Sequence, residues 1–278
     1  MNTTGNKIIA ILEVLLVKGI TFAVAWFGLA PLVGWQRQTL GHTYLNHLAF
    51  MLIPIAWLLL TGRRLTDFGI TACNLKADVT AAMSAFLPFA LAGASLGFLA
   101  YTRWHDALIE SAIQVGVLFW VAHLLNRKPD PKSGLITIGL ASVLFGVSAW
   151  REGLYPGLAA GAGSFVYYLF FVGLGEELLN RGFIQTRLDQ AFGKPFAFGG
   201  ARFGWGIVIA SLLFGLLHVA NGLDPIAGTF NPQWWWGLWT FFGGLVFGYV
   251  RERTGSIIAP AVLHGLPQAL VFFFLKGS

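Results

Sequence analysis

Residues 175–183 read Gly175-Glu176-Glu177-Leu178-Leu179-Asn180-Arg181-Gly182-Phe183 and follow an apolar run over 154–174. Ionisable side chains at the edge of hydrocarbon are costly unless paired or solvated, so they mark function by default. Glu177 and Arg181 stand four apart with the glutamate first, the helical spacing that favours an ion pair. Glu176 is turned about 100° from its neighbour on a helix and needs a different partner. A carboxylate held in a partly dry cavity is a suitable general base for water. Two later apolar runs each carry a histidine. Phe214-x-x-x-His218 puts an aromatic ring and an imidazole on one helical face, with Asn221 just beyond. His264-Gly265-Leu266-Pro267-Gln268 puts an imidazole and an amide at i, i+4, donors suited to a developing oxyanion. Pro267 removes one helical hydrogen bond and predicts a kink there. His42, His47 and His105 read as interfacial residues near the ends of spans.

These residues need a membrane to sit in. Only 11% of the 278 residues are charged, where a soluble chain carries roughly a quarter. Hydrophobic residues make up 56%, and mean hydropathy is +0.69. Repeated long apolar runs predict a polytopic α-helical bundle, whereas a transmembrane barrel requires short alternating segments. Nine stretches are drawn: about 8–33, 44–61, 78–100, 107–125, 134–149, 157–178, 205–221, 234–250 and 256–274. The first is too long for a signal peptide and contains Glu13 and Lys18. The short, Gly/Ser-containing stretch 134–149 is also readable as re-entrant. The single cysteine, Cys73, excludes an intramolecular disulfide framework and a cysteine-based zinc site.

The net charge of +6 falls between the apolar runs, as orientation signals do, and not in a patch for nucleic acid. With a cytoplasmic N-terminus, the inside segments hold thirteen Lys and Arg, among them Arg63, Arg187, Lys194, Arg202, Arg251 and Arg253. The outside segments hold four: Arg37, Arg103, Arg151 and Lys276. That asymmetry orients the C-terminus outward. Gly93-x-x-x-Gly97, Gly157-x-x-x-Gly161 and Gly244-x-x-x-Gly248 offer close helix–helix approach. Trp234, Trp235, Trp236 and Trp239 predict an outer interfacial anchor. The segment from Phe183 to Leu188 is expected to continue the sixth helix along the cytoplasmic interface.

Taken in order, Glu176-Glu177-x-x-x-Arg181, Phe214-x-x-x-His218 and His264-x-x-x-Gln268 resemble the three signature motifs of the CAAX prenyl protease and bacteriocin-processing (CPBP, or Abi) family of glutamic intramembrane endopeptidases. The likeness covers roughly 154–275. With the apolar stretches drawn above, the expected fold is an all-α transmembrane bundle of eight to nine spans, with N-terminal helices over 1–150 that match the family only in being hydrophobic and a CPBP-like catalytic core of four helices over 151–278. The likeness implies that Glu176 and His218 activate water, that His264 and the residue at 268 form an oxyanion hole, and that Glu177 and Arg181 support the first motif. No cofactor and no metal is implied. The family has asparagine at the last motif position and this chain has Gln268, which keeps the amide on a longer stem.

The resulting expectation is a multi-pass protease of the bacterial inner or plasma membrane, cleaving a membrane-associated peptide or protein near the cytoplasmic face. Its partners are that substrate and the lipid bilayer, with no nucleic acid; substrate identity and oligomeric state stay open. Three other readings stand beside it. A zinc hydrolase would use one glutamate and two histidines as ligands, although no His-Glu-x-x-His spacing is present. A non-catalytic protein, a bacteriocin self-immunity factor or a scaffold, is favoured by the glutamine departure. A transporter would spread polar groups along a pathway instead of gathering them on three helices.

Overall fold

The computed structural model describes residues 4–96, 99, 103–224 and 228–275. Its described part is a bundle of ten helices. Helix α1 (Thr4–Ala23) runs on through π-helical turns at Val24–Gly28, and α2 (Ala30–Leu40) follows at once. The single stretch expected over 8–33 is therefore two helices. Pro31 sits in the first turn of α2, where its missing N–H has no helical partner to lose, so the apolar run restarts there. Next come α3 (Tyr44–Leu60), α4 (Leu75–Ser95), α5 (Trp104–Asn126) and α6 (Lys132–Glu152). The long α7 spans Leu158–Phe192. A hairpin pairs β1 (Phe196–Phe198) with β2 (Ala201–Phe203), turning through Gly199 and Gly200, both at positive φ. Then come α8 (Trp205–Val219), a two-residue ladder of Leu223–Asp224 with Thr229–Phe230, α9 (Trp234–Thr254) and α10 (Ile258–Phe274). Helix α10 continues through Pro267.

Among the described residues six helices are long and apolar enough to cross a bilayer: α1 with its π turns, α4, α5, α6, α7, and α8 with the 3-10 turn that extends it to Gly222. Helices α3 and α10 are apolar but shorter, 17 residues each, or roughly 25 Å at 1.5 Å per residue. The structure thus establishes a multi-pass helical membrane protein. Helix α6 is continuous, and Leu135, Ile136, Leu140, Val143, Leu144 and Val147 are 56–65% exposed along it. A helix so apolar and so little covered by protein faces lipid, which removes the re-entrant alternative.

Two apolar clusters hold the bundle. One joins α4, α5, α8, α9 and α10 around Phe86, Val121, Phe214, Phe247 and Leu263. The other joins α1, α3, α7 and α8 around Val17, Leu58, Leu179, Phe183 and Leu188. Each draws on residues from both sides of position 150. The interfacial course expected for 183–188 is corrected here. Phe183, Ile184 and Leu188 are at most 1% exposed, because α1, α3 and α8 close around this end of α7.

Of the small-residue spacings, Gly97 lies outside the described residues, and Gly93 and Gly157 have open space where a side chain would stand. Gly161 lies against the Phe273 carbonyl of α10. Gly244 and Gly248 make room on α9 for Arg181 and Gln185 of α7. At the α9 start, Trp235 packs edge-on against Trp104 of α5, and Trp236 stacks on Trp239.

Basic residues assigned to the inner side meet at one end of the bundle. Glu13 accepts from Arg63, from Arg187 at 2.7 Å and from Trp57 at 2.7 Å. Lys194 pairs with Glu252, and Arg202 reaches the Lys194 carbonyl. Lys276 is outside the described residues. This grouping predicts that the exposed Cys73, on the segment between α3 and α4, reacts with an impermeant maleimide from the cytoplasmic side only. A cysteine at Glu152 in a Cys73→Ser background is expected to react from the opposite side of sealed vesicles. Reaction of both from one side breaks the assignment.

Candidate active site

Helix α7 carries Glu176 and Glu177 on a short α-helical turn, 175–177, between two π-helical stretches, 167–174 and 178–185, the second of which holds Arg181. A π turn takes an extra residue, which rotates the faces of α7 before and after the carboxylates. The Thr186 hydroxyl donating to the Arg181 carbonyl, five residues back, follows that register. Glycines set how close the neighbours come. A Cβ added at Gly173 would lie 3.1 Å from the Gly265 Cα of α10, and one at Gly265 would lie 2.9 Å from the Leu169 Cα. The backbones of α7 and α10 therefore touch one turn from the carboxylates.

Glu177 and Arg181 are completely buried. The guanidinium Nη1 donates to Glu177 Oε1 at 3.0 Å, the pairing their spacing predicts. Its Nη2 donates to the Gly244 carbonyl at 3.0 Å. The rings of Phe214 and Phe247 flank it, at 4.6 and 5.4 Å from the guanidinium carbon, in cation–π range. Phe214 of the second motif thus serves the arginine of the first. Removing either partner of such a pair leaves an uncompensated buried charge.

His264 joins the two carboxylates. Its Nδ1 is 3.0 Å from Glu177 Oε1, and its Nε2 is 3.9 Å from Glu176 Oε2. A carboxylate only accepts, so Nδ1 carries the proton of that bond and Nε2 is left for other work. The ring stacks on Phe247 at 4.8 Å. His218, on the last turn of α8, lies 2.9 Å through Nδ1 from its own Phe214 carbonyl. That again fixes the proton on Nδ1 and leaves Nε2 as an acceptor in the neutral ring. Its ring meets Phe214 at 4.6 Å and Trp236 at 6.0 Å, and no hydrogen bond joins it to Glu176 among the described residues. Gln268 is half-buried one turn beyond His264 and makes no hydrogen bond among the described residues. Glu176 itself is 8% exposed, and its Oε2 has no hydrogen-bonding partner among the described residues.

One residue read as interfacial sits at the centre. His47, on the first turn of α3, places Nε2 3.6 Å from Glu176 Oε1, nearer than His264 comes. Gly175 permits this, since a Cβ there would be 3.0 Å from the His47 carbonyl. The only signal available in the sequence was the unpartnered carboxylate, which asked for a donor without saying which helix supplies it. His42 stacks on Tyr167 at 4.3 Å and bonds Ser164 at 3.0 Å, while His105, largely exposed, pairs with Asp106. Among the described residues no three His, Cys, Asp or Glu side chains are grouped as metal ligands.

Residues 159–270 match the family model described as Type II CAAX prenyl endopeptidase Rce1-like. The resemblance drawn from the three motifs holds over that segment, which contains all of them. No curated protein and no solved structure matches the chain.

Glu177→Gln keeps the shape but leaves Arg181 without its anionic partner in a dry site. It is expected to cost about 3–5 kcal/mol, the order for breaking a buried pair. Detergent melting curves and size-exclusion profiles would read this as early unfolding, and a wild-type melting temperature would refute it.

Proposed function

We propose that this chain, whose residues 159–270 are of the CAAX-protease type, hydrolyses a peptide bond of a membrane-associated protein or peptide inside the bilayer with a water activated by Glu176. The observation that carries the reading is the unequal engagement of two adjacent buried glutamates. Arg181 and His264 both bond Glu177 Oε1 and tie that carboxylate to the arginine, whereas Glu176 has only imidazole nitrogens beside it, at 3.6 and 3.9 Å; the second oxygen of each carboxylate has no partner among the described residues.

In this mechanism a water held at Glu176 Oε2 gives its proton to the carboxylate as its oxygen attacks the scissile carbonyl carbon. The Nε2 of His218 accepts the second hydrogen bond of that water and aligns it. The carbonyl oxygen becomes an oxyanion. His264, with Nδ1–H tied to Glu177, donates from Nε2 as an imidazolium, and the Gln268 amide adds a second donor. Collapse of the tetrahedral intermediate breaks the C–N bond, and Glu176 passes its proton to the leaving amine. The reading requires no metal: the base is a carboxylate and the oxyanion is met by nitrogen donors.

The scissile bond would lie well inside the bilayer. Glu176 is eleven residues before Arg187, or roughly 16 Å of helix from the basic end, about half of a hydrocarbon core. With that end cytoplasmic, a substrate reaches the site from the inner leaflet side. The name of the matched family makes a prenylated C-terminal peptide the first substrate to try, with an unlipidated leader peptide beside it.

Purified protein in micelles, offered internally quenched reporters of both kinds, is expected to cleave at least one. Glu176→Gln is expected to lower turnover roughly 10²–10⁴-fold while the protein stays monodisperse; retention of more than about a tenth would move the base elsewhere. Exhaustive chelation is expected to leave the rate unchanged, and loss restored by added zinc would replace this mechanism with the metal-ligand one. Gln268→Ala is expected to reduce kcat by roughly a hundredfold with little change in KM. If neither Gln268→Ala nor His264→Ala alters turnover, the oxyanion hole is not there. A chain that cleaves neither reporter would favour the non-catalytic immunity or scaffold reading.

A further inference from the structure

The first three helices are not merely a frame for the motif helices, because α3 delivers a side chain to the carboxylate. We infer that His47 is a positioning residue for Glu176, itself held by Tyr167 and Thr43, and so a fourth contributor to the site from outside the three motifs. The inference rests on the reading of Glu176 as the base.

Three contacts make the line. The Thr43 hydroxyl lies 3.0 Å from the Tyr167 hydroxyl, which lies 3.4 Å from His47 Nδ1. On the far side of the ring, Nε2 faces Glu176 Oε1. The Nδ1 edge also faces the Thr43 carbonyl at 3.3 Å. Two protonation states suit this cradle. In the neutral ring, Tyr167 O–H donates to Nδ1 and the proton sits on Nε2. In the imidazolium, Nδ1–H donates to the Thr43 carbonyl and Nε2–H is again present. Both present an N–H to Glu176 Oε1. The neutral ring protonated on Nδ1 alone would face a lone pair to the carboxylate, and only that state is disfavoured.

The consequence is a division of labour between the two carboxylate oxygens. Oε1 faces His47 Nε2 at 3.6 Å, which biases the rotation of the carboxyl group and leaves Oε2, without a partner among the described residues, on the side where His264 stands. A base that must accept a proton along one direction gains from having its other oxygen restrained. The contact is built into the fold at backbone level. Gly175 admits the α3 backbone beside α7, and Tyr167 is fixed by stacking on His42 and by edge contact with Tyr44. Tyr167 is on α7 itself, so the carboxylate and the group that holds its holder share one helix.

The test uses the full-length protein in micelles with whichever reporter it cleaves, and His47→Phe, His47→Gln and His47→Asn. Glutamine places an amide N–H near the position of Nε2, whereas asparagine reaches only the Nδ1 side. His47→Phe and His47→Asn are expected to lower kcat roughly tenfold to a hundredfold, the order for losing one hydrogen bond to a charged group, at unchanged KM. His47→Gln is expected to recover most of that loss. Tyr167→Phe is expected to cost severalfold alone and nothing further in the His47→Phe background, since both act through one contact. An activity-free arm keeps the outcome independent of substrate. The infrared carboxylate band that disappears in Glu176→Gln is expected to shift in His47→Phe and to return towards its place in His47→Gln. Wild-type kcat in His47→Phe, with Glu176→Gln inactive, overturns the inference and leaves the function reading intact. An unshifted band overturns it even if no reporter is cleaved, and cleavage unaffected by Glu176→Gln overturns the function reading instead.

Discussion

The ion pair of Glu177 with Arg181 is the contact on which the rest of the site depends. Both side chains are fully buried in an apolar bundle, where an unpaired charge is costly and a pair calls for hydrogen bonds to its remaining polar atoms. The surroundings meet most of that demand from three helices, with Arg181 Nε and Glu177 Oε2 left without partners among the described residues. Gly244 of α9 gives a carbonyl and the space for the guanidinium, Phe214 of α8 and Phe247 of α9 give their ring faces, and His264 of α10 gives Glu177 a second donor. Satisfying one arginine thereby fixes how α7, α8, α9 and α10 stand to one another. The motif residues that touch no substrate in the proposed mechanism are those that set its geometry.

The same pair explains why adjacent glutamates differ. Glu177 is tied to Arg181 and His264, whereas its neighbour, rotated around α7, faces other side chains. Glu176 lies beside His47 and His264, both imidazoles, which can donate or accept at neutral pH where a lysine or arginine could only donate. A second buried network at the basic end does the purely structural task. Glu13 collects Arg63 and Arg187 and ties α1, the end of α3 and the end of α7. Helix α3 is thus pinned to α7 at both ends, by charge at the basic one and by His47 and Tyr167 at the other.

How near the helices stand is decided by glycine. Gly173 meets α10, Gly175 meets α3, Gly265 meets α7, and Gly244 with Gly248 admits the polar side chains of α7. In lipid, helices gain little from burying apolar surface against one another, so close backbone contact and the polar bonds it permits carry much of the association. The π-helical turns on either side of the carboxylates belong to the same adjustment. They change the facing of α7 within one continuous helix, so that Glu176 reaches α3 and α10 while the stretch beyond turns Phe183 and Leu188 into the cluster with α1 and α3.

By itself the sequence determined what composition and short spacing control. Low charge and long apolar runs demanded a helical membrane protein, because only internal hydrogen bonding tolerates hydrocarbon. A separation of four residues determined the Glu177–Arg181 pair and the Phe214–His218 contact, since one helical turn is a local fact. The motif order carried the likeness that residues 159–270 bear out. Tertiary structure alone decided what depends on which helices become neighbours. No local rule links position 47 to position 176, so His47 looked like any histidine near a span's end. Hydrophobicity cannot tell lipid from protein as the covering medium, so 183–188 read as interfacial and is buried, while 134–149 read as ambiguous and faces lipid. The π turns were invisible for the same reason. Their register follows from the approach of α3 and α10 to α7, and that approach is a property of the assembled bundle.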